Sequence, residues 1–285
     1  MQKPKAIFLD MDGTLLNNYN RVTEKTKDVI HQIRQSGIYV FIVTGRGKNE
    51  IFPTAPEDFE VDGVISSNGM TGYLGDRKLF EHTLPEDVVE EVIKLAREHK
   101  IYYEIFPIEG NQLVEREDKS TLLAEMTEPM PDTVGVNEWR ERVDALDGLI
   151  QWVDKVPKGK YSKFYFFSRD PEKMKKWIAV LEKLLNELPF SMTFSSLNNV
   201  EVMVKDKDKG TGIKDLIDEL GISADDILAV GDSFNDVGMF NLAGHTVAMK
   251  NSPDKIKEMT DEVTEFTNDE EGIYHYLKRF VLDSE

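Results

Sequence analysis

Residues 6–14 read Ala6-Ile7-Phe8-Leu9-Asp10-Met11-Asp12-Gly13-Thr14. Four apolar residues in a row, with no polar alternation, is the pattern of a strand covered on both faces in a parallel sheet. The run stops at an aspartate, and a second aspartate and a glycine follow at once. In open α/β sheets, ligands bind outside the carboxyl ends of the strands, where such polar residues fall. Working outward, the same arrangement recurs. Tyr39-Val40-Phe41-Ile42-Val43 ends in Thr44-Gly45-Arg46, and Gly63-Val64-Ile65-Ser66 ends in Ser67-Asn68-Gly69. Farther on, Ile227-Leu228-Ala229-Val230 ends in Gly231-Asp232. Between the first two strands, Thr23 is placed to cap a helix carrying Val29, Ile30 and Ile33 on one face, with Gly37 to end it. Strand, helix, strand with polar strand ends is the βαβ unit, whose crossover is right-handed.

From about Leu84 to Ser195 the texture changes to amphipathic helices and exposed, aromatic-rich strands. Pro85 opens a helix with Val88, Val89, Val92, Ile93 and Ala96 inward, and Pro171 opens another through Trp177, Ile178, Leu181, Leu184 and Leu185. Ile101 to Phe106 and Phe164 to Phe167 read as strands of a small mixed sheet. Tyr102, Tyr103, Phe164, Tyr165 and Trp177 read mostly as packing there, as do Met11 and Phe234 elsewhere. This region reads as an inserted domain spanning 84–195, with the α/β core formed by 1–83 and 196–285. After Val200-Glu201-Val202-Met203-Val204 the α/β texture returns. Lys209-Gly210-Thr211-Gly212 leads a helix with Ile213, Leu216, Ile217 and Leu220 on one stripe, and the chain closes on a helix from Asp269 to Leu282.

The chain has 285 residues, 40% of them hydrophobic, enough for a core that needs no staples. The formal net charge is -18, from 35 basic and 53 acidic residues. Such a surface repels nucleic acid and anionic lipid, since binding to either is dominated by lysine and arginine. There are no cysteines, which excludes thiol catalysis, disulfides and thiolate-bound zinc. The five histidines show no i, i+4 pairing, so they read as surface or packing residues. The longest apolar stretch considered, Ile38 to Val43, is far short of a signal core or a membrane helix. The expectation is a cytoplasmic protein, a monomer or weak homo-oligomer.

The candidate chemistry lies at the strand ends: Asp10, Asp12, Thr44, Lys209, Asp232 and Asp236. Aspartates gathered at one edge do not all stay ionised without a cation, since like charges at 4 Å repel by about 4 kcal/mol at an effective dielectric of 20. Short hard carboxylates without histidine suit Mg²⁺. Lys209 followed by glycines at a helix start is a phosphate seat, and Thr44-Gly45-Arg46 can add a hydroxyl and backbone amides. The set suits phosphoryl transfer, where positioning and charge neutralisation dominate. An aspartate is a ready nucleophile, already ionised at neutral pH. A second one two residues on can serve the leaving oxygen as acid and the attacking water as base.

In their order, Asp10-Met11-Asp12-Gly13-Thr14, Thr44-Gly45-Arg46, Lys209-Gly210 and Gly231-Asp232-Ser233-Phe234-Asn235-Asp236 resemble the four motifs of the haloacid dehalogenase superfamily. The likeness is to its Cof-type phosphatase branch, and extends to Ser67-Asn68-Gly69, Met249-Lys250-Asn251-Ser252 and residues 267–272. The first and fourth motifs are specific, whereas the second and third are weak alone. The resemblance implies a Rossmann-like parallel-sheet core, with an inserted α+β cap domain between the second and third motifs. It also implies Mg²⁺ as cofactor and a small phosphorylated metabolite as partner. By match, Asp10 would be nucleophile and metal ligand. Asp12 would be acid and base, binding metal through its backbone carbonyl. Thr44, Gly45 and Lys209 would hold the phosphoryl group, with Asn235 at the phosphate or metal edge. Asp232 would bind metal directly, and Asp236 through water or by orienting Lys209. Asn251 is a candidate for phosphate-side hydrogen bonding. Two departures stand out: lysines crowd the third motif (Lys205, Lys207, Lys209), and Ser252 replaces the branch's usual small residue. A phosphomutase on the same core and a receiver-like phospho-accepting switch are the alternative readings. Neither fits as well: mutases of the superfamily usually carry their cap after the first motif, and receivers are about half this length.

Overall fold

A computed structural model describes residues 3–194 and 196–282. Met1, Gln2, Ser195 and residues 283–285, which fall within the expected domain spans, lie outside it. Five strands come first: β1 (Ala6–Leu9), β2 (Tyr39–Val43), β3 (Gly63–Ser66), β4 (Thr71–Leu74) and β5 (Arg77–Glu81). Six follow in the middle of the chain: β6 (Tyr102–Pro107), β7 (Leu113–Glu115), β8 (Gln151–Val153), β9 (Tyr161–Phe167), β10 (Phe190–Thr193) and β11 (Asn199–Val204). Three complete the chain: β12 (Ile227–Gly231), β13 (His245–Ala248) and β14 (Glu262–Val263).

The chain divides into two compact units, Met1–Glu81 with Lys207–Glu285, and His82–Asp206. The first holds an eight-stranded sheet in the order β14-β13-β12-β1-β2-β3-β4-β5. Its strands pair in parallel from β14 to β3. The sequence did not announce β4 and β5, which turn back antiparallel as a hairpin at one edge. Strand β1 is central and fully buried, as its uninterrupted apolar run requires. Ile7 and Leu9 pack into one hydrophobic layer, Ala6 and Phe8 into the other, and Phe8 stacks on Phe41 with ring centroids 5.0 Å apart. Thr23 caps the helix Glu24–Gln35, accepting from the Thr26 amide.

The second unit is a six-stranded sheet, β10-β11-β9-β6-β7-β8, mostly antiparallel, with helices Glu86–Glu98 and Pro171–Leu184. Strand β11 was expected with the returning core; it pairs with β9 and β10, so this unit runs to Asp206, beyond the 84–195 span. The aromatic strand β9, expected to be exposed, is buried along its whole length. Its two apolar faces explain this: Phe166 lies 5.0 Å from Trp177 on one helix, and Phe167 is edge-on to Tyr102. Among the described residues, no helix is long and apolar enough to cross a membrane.

Candidate active site

Four segments of the first unit bring their polar ends to one place. Asp10 leaves β1 with its amide bonded to the Val230 carbonyl of β12, so the first aspartate is tied to the strand that carries Asp232. The turn that follows is tight. Gly13 has φ +75, and a Cβ there would sit 2.3 Å from Asp232 Oδ2, so only glycine lets the turn lie against that carboxylate. Thr14 Oγ1 donates to Asp232 Oδ1 at 3.5 Å.

The helix Lys209–Leu220 is capped by Asp208, which accepts from the Thr211 amide. Gly210 allows its first turn to approach the next segment: a Cβ there would meet the Gly238 carbonyl at 2.2 Å. This places Lys209, fully buried, with its ammonium 2.5 Å from Asp10 Oδ1 and 2.6 Å from Asp236 Oδ1. Asp236 has further donors: its Oδ2 accepts from the amides of Asp232 and Ser233, each at 2.9 Å. Of the two roles open to Asp236, orienting Lys209 is the one these bonds favour.

Asp10, Asp232 and Asp236 each offer a carboxylate oxygen within 4.8 Å of the others. Three carboxylates thus face one ammonium. Burial above all, then the Asp236 and Asp12 carboxylates, push the Asp10 carboxyl up to about 7 against the pull of Lys209. Asp232 is pushed well above the ordinary carboxylate range, by burial and then by Asp10 and Asp236. For Lys209, burial opposes the charge, but Asp10 and Asp236 more than offset it and keep the ammonium protonated. An excess of hard oxygen donors, two buried and one half-buried, with the pKa values of Asp10 and Asp232 raised, is the environment a divalent cation relieves, so the donor set fits Mg²⁺.

Around this centre, Thr44 is fully buried at the end of β2, its Oγ1 accepting from the Arg46 amide at 3.1 Å. Gly45 packs against the Asn68 side chain. Asn235 accepts from Ser233 Oγ at 2.7 Å and donates to Asn68 Oδ1 at 3.4 Å. The Asp12 carboxylate, partly exposed, is gripped by the Arg46 guanidinium. All the sequence-derived site residues therefore lie in this unit; Lys209 bonds Asp10 and Asp236, and the Asp232 carboxylate offers an oxygen within 4.8 Å of theirs.

Three features were not anticipated. The reading of Thr44-Gly45-Arg46 used its hydroxyl and amides and passed over the arginine side chain, although an acidic site with a spare aspartate was the signal for a cation. Asn68 is buried with φ +56 between Gly45 and Asn235. Asn251 donates to the Gly13 carbonyl at 2.8 Å and accepts from the Asn268 amide, while Asn268 donates to the Leu16 carbonyl. Both asparagines therefore staple the Asp10 turn. Phe234, expected to pack, is half exposed.

A family model described as haloacid dehalogenase-like hydrolase matches residues 7–277. The chain is 28% identical to the 5-amino-6-(5-phospho-D-ribitylamino)uracil phosphatase YwtE of Bacillus subtilis, over 97% of this chain and 98% of that protein. To the phosphatase YwpJ of the same organism it is 29% identical, over 97% of this chain and all of the other. A haloacid dehalogenase-like hydrolase from B. subtilis has a similar structure, with a TM-score of 0.81 and 25% identity over 97% of this chain and 99% of that one. With the four motifs of the sequence gathered at one sheet edge, this chain belongs to the haloacid dehalogenase-like hydrolases and is a phosphatase of that family.

Proposed function

We propose that this phosphatase is magnesium-dependent and hydrolyses a small phosphomonoester, such as a sugar phosphate, through a phosphoryl group carried transiently on Asp10. The observation that carries this reading is the surplus of carboxylate: buried Asp10 and Asp236 with half-buried Asp232, against the single ammonium of Lys209. In the first half-reaction an Asp10 oxygen attacks phosphorus as the ester P–O bond breaks, and Asp12 gives its proton to the leaving oxygen. In the second, water adds to phosphorus, the Asp10–phosphorus bond breaks, and Asp12 takes the proton from the water. Thr44, the Gly45 amide, Lys209 and Asn235 hold the phosphoryl oxygens, and Asp236 holds Lys209.

Asp10 and Asp232 would hold the metal through their side chains, together with the Asp12 carbonyl. When bound, Mg²⁺ supplies positive charge that lets an anionic phosphate approach an anionic nucleophile. A substrate of the size and kind named for YwtE is consistent with this chemistry, and selection of the substrate is assigned to the inserted unit. The test is release of phosphate from p-nitrophenyl phosphate. EDTA is expected to stop it and Mg²⁺ to restore it; undiminished turnover without metal would contradict the reading.

A further inference from the structure

Arg46 links the second motif to the first. Its backbone is fixed at two points: its amide donates to Thr44 Oγ1, and its carbonyl accepts from the Ser67 amide at 2.8 Å, tying it to the turn after β3. From this anchored position the guanidinium reaches Asp12. Nε lies 2.9 Å from Oδ2 and 3.2 Å from Oδ1, and a terminal nitrogen lies 2.5 Å from Oδ1. Both carboxylate oxygens are thus engaged. The arginine side chain is 14% exposed and that of Asp12 45% exposed, so the more buried partner holds the more exposed one. A planar fork matched to a carboxylate fixes its direction as well as its charge, which a lysine ammonium does not do.

Left unrestrained, the Asp12 carboxylate has a second attractor. Lys209 and any cation at the Asp10, Asp232 and Asp236 cluster stand at the same sheet edge. We propose that Arg46 is the positioning residue for Asp12, directing its carboxyl to the leaving oxygen in the first half-reaction and to water in the second. It transfers no proton itself, because a guanidinium does not deprotonate in proteins. This inference rests on the phosphatase reading of the site.

The assignment has a signature that a structural role lacks. Breaking the ester of a poor leaving group requires a proton on the departing oxygen, whereas p-nitrophenolate departs without one. The parameter kcat/KM reports events only through the transfer step. Loss of the Arg46 fork should therefore fall on poor leaving groups. The experiment compares wild type, Arg46→Met, Arg46→Lys, Asp12→Ala and the double variant Asp12→Ala/Arg46→Met on p-nitrophenyl, phenyl and p-methoxyphenyl phosphates with Mg²⁺.

In Arg46→Met, kcat/KM for phenyl phosphate is expected to fall at least about 10-fold more than for p-nitrophenyl phosphate, within the range of acid–base contributions. Arg46→Lys should restore less than half of that difference on a logarithmic scale. The double variant should be no worse than Asp12→Ala alone, because Arg46 acts through Asp12. Equal loss on all three esters, or losses that multiply in the double variant, would overturn the assignment of Arg46 and leave the phosphatase reading intact. A wild-type protein that cleaves none of these esters would overturn the phosphatase reading and this inference with it.

Discussion

Both units of this chain bury charged side chains, but they balance them differently. In the second unit, Glu104 on β6 is fully buried and accepts from Arg142 at 2.6 Å and from the Tyr102 hydroxyl at 2.5 Å. Arg142 lies 4.1 Å over the Tyr165 ring, and the Tyr165 hydroxyl donates to Glu138. On the same sheet Lys163 pairs with Glu201. Each buried carboxylate here has a cation or neutral donors at hand, and the pairing holds strands and helices in register. In the first unit, three carboxylates meet one lysine, and two of them are pushed up in pKa. Buried charge by itself marks neither stability nor function, since a desolvated ion pair gains little net energy. An uncompensated excess of one sign is what marks a site, because it is tolerated only where something else completes it.

This contrast can be broken or sharpened by substitution. The largest effect is expected at the uncompensated cluster. Asp10→Asn should lower turnover of p-nitrophenyl phosphate by roughly 10⁴-fold or more, as loss of a nucleophile does. It should not lower the melting temperature, because it removes one of the crowded carboxylates. A variant that kept activity, or one that lost activity by unfolding, would erase the distinction drawn between the clusters.

The balanced cluster should respond in the opposite way. Arg142→Met leaves Glu104 buried beside no cation and is expected to destabilise the fold by about 3–5 kcal/mol in urea unfolding. The double change Arg142→Met/Glu104→Gln should recover much of that loss. If the single variant proved neutral, the pair would not be the structural element described above.

A smaller effect distinguishes the clusters by pH. The Asp10 carboxyl, pushed up to about 7 chiefly by burial, holds its proton more tightly in the folded than in the unfolded chain, whose value is 3.8. The folded state therefore loses stability as pH rises from about 4 to about 7, and loses no more above that. In EDTA, wild type compared with Asp10→Asn should show this loss between pH 5 and pH 8, of the order of 1–3 kcal/mol. Mg²⁺ should reduce it, since binding favours the ionised form. Parallel pH curves for the two proteins would contradict the raised pKa of Asp10.

The pattern of buried strands with polar ends was fully legible in the sequence, because a strand covered on both faces leaves an uninterrupted apolar run. Asp10, Asp232 and Lys209 could be named for the same reason, each lying at the end of such a run or the start of a capped helix. What escaped was set by contacts far apart in the chain. Strand β11 carries the same apolar texture as core strands, and only its pairing with β9 and β10 assigns it to the second unit. The Asp12–Arg46 fork spans 34 positions and the Asn251–Gly13 staple 238, so local spacing held no trace of either. The exposed reading of β9 failed because both faces are covered: Trp177 of the very next helix packs on Phe166, and Trp139, 28 positions earlier in the chain, lies edge-on to Phe167.

The central claim is that Asp10 carries the phosphoryl group within a cluster completed by a cation. Asp12→Ala should still accept phosphate from p-nitrophenyl phosphate, which needs no acid, and should release it slowly for want of a base. Acid-quenching this variant during turnover with Mg²⁺ and mapping its peptides by mass should find phosphate on the segment bearing Asp10, and none when EDTA is present. Phosphate on any other residue, or continued turnover with no covalently held phosphate, would contradict the account.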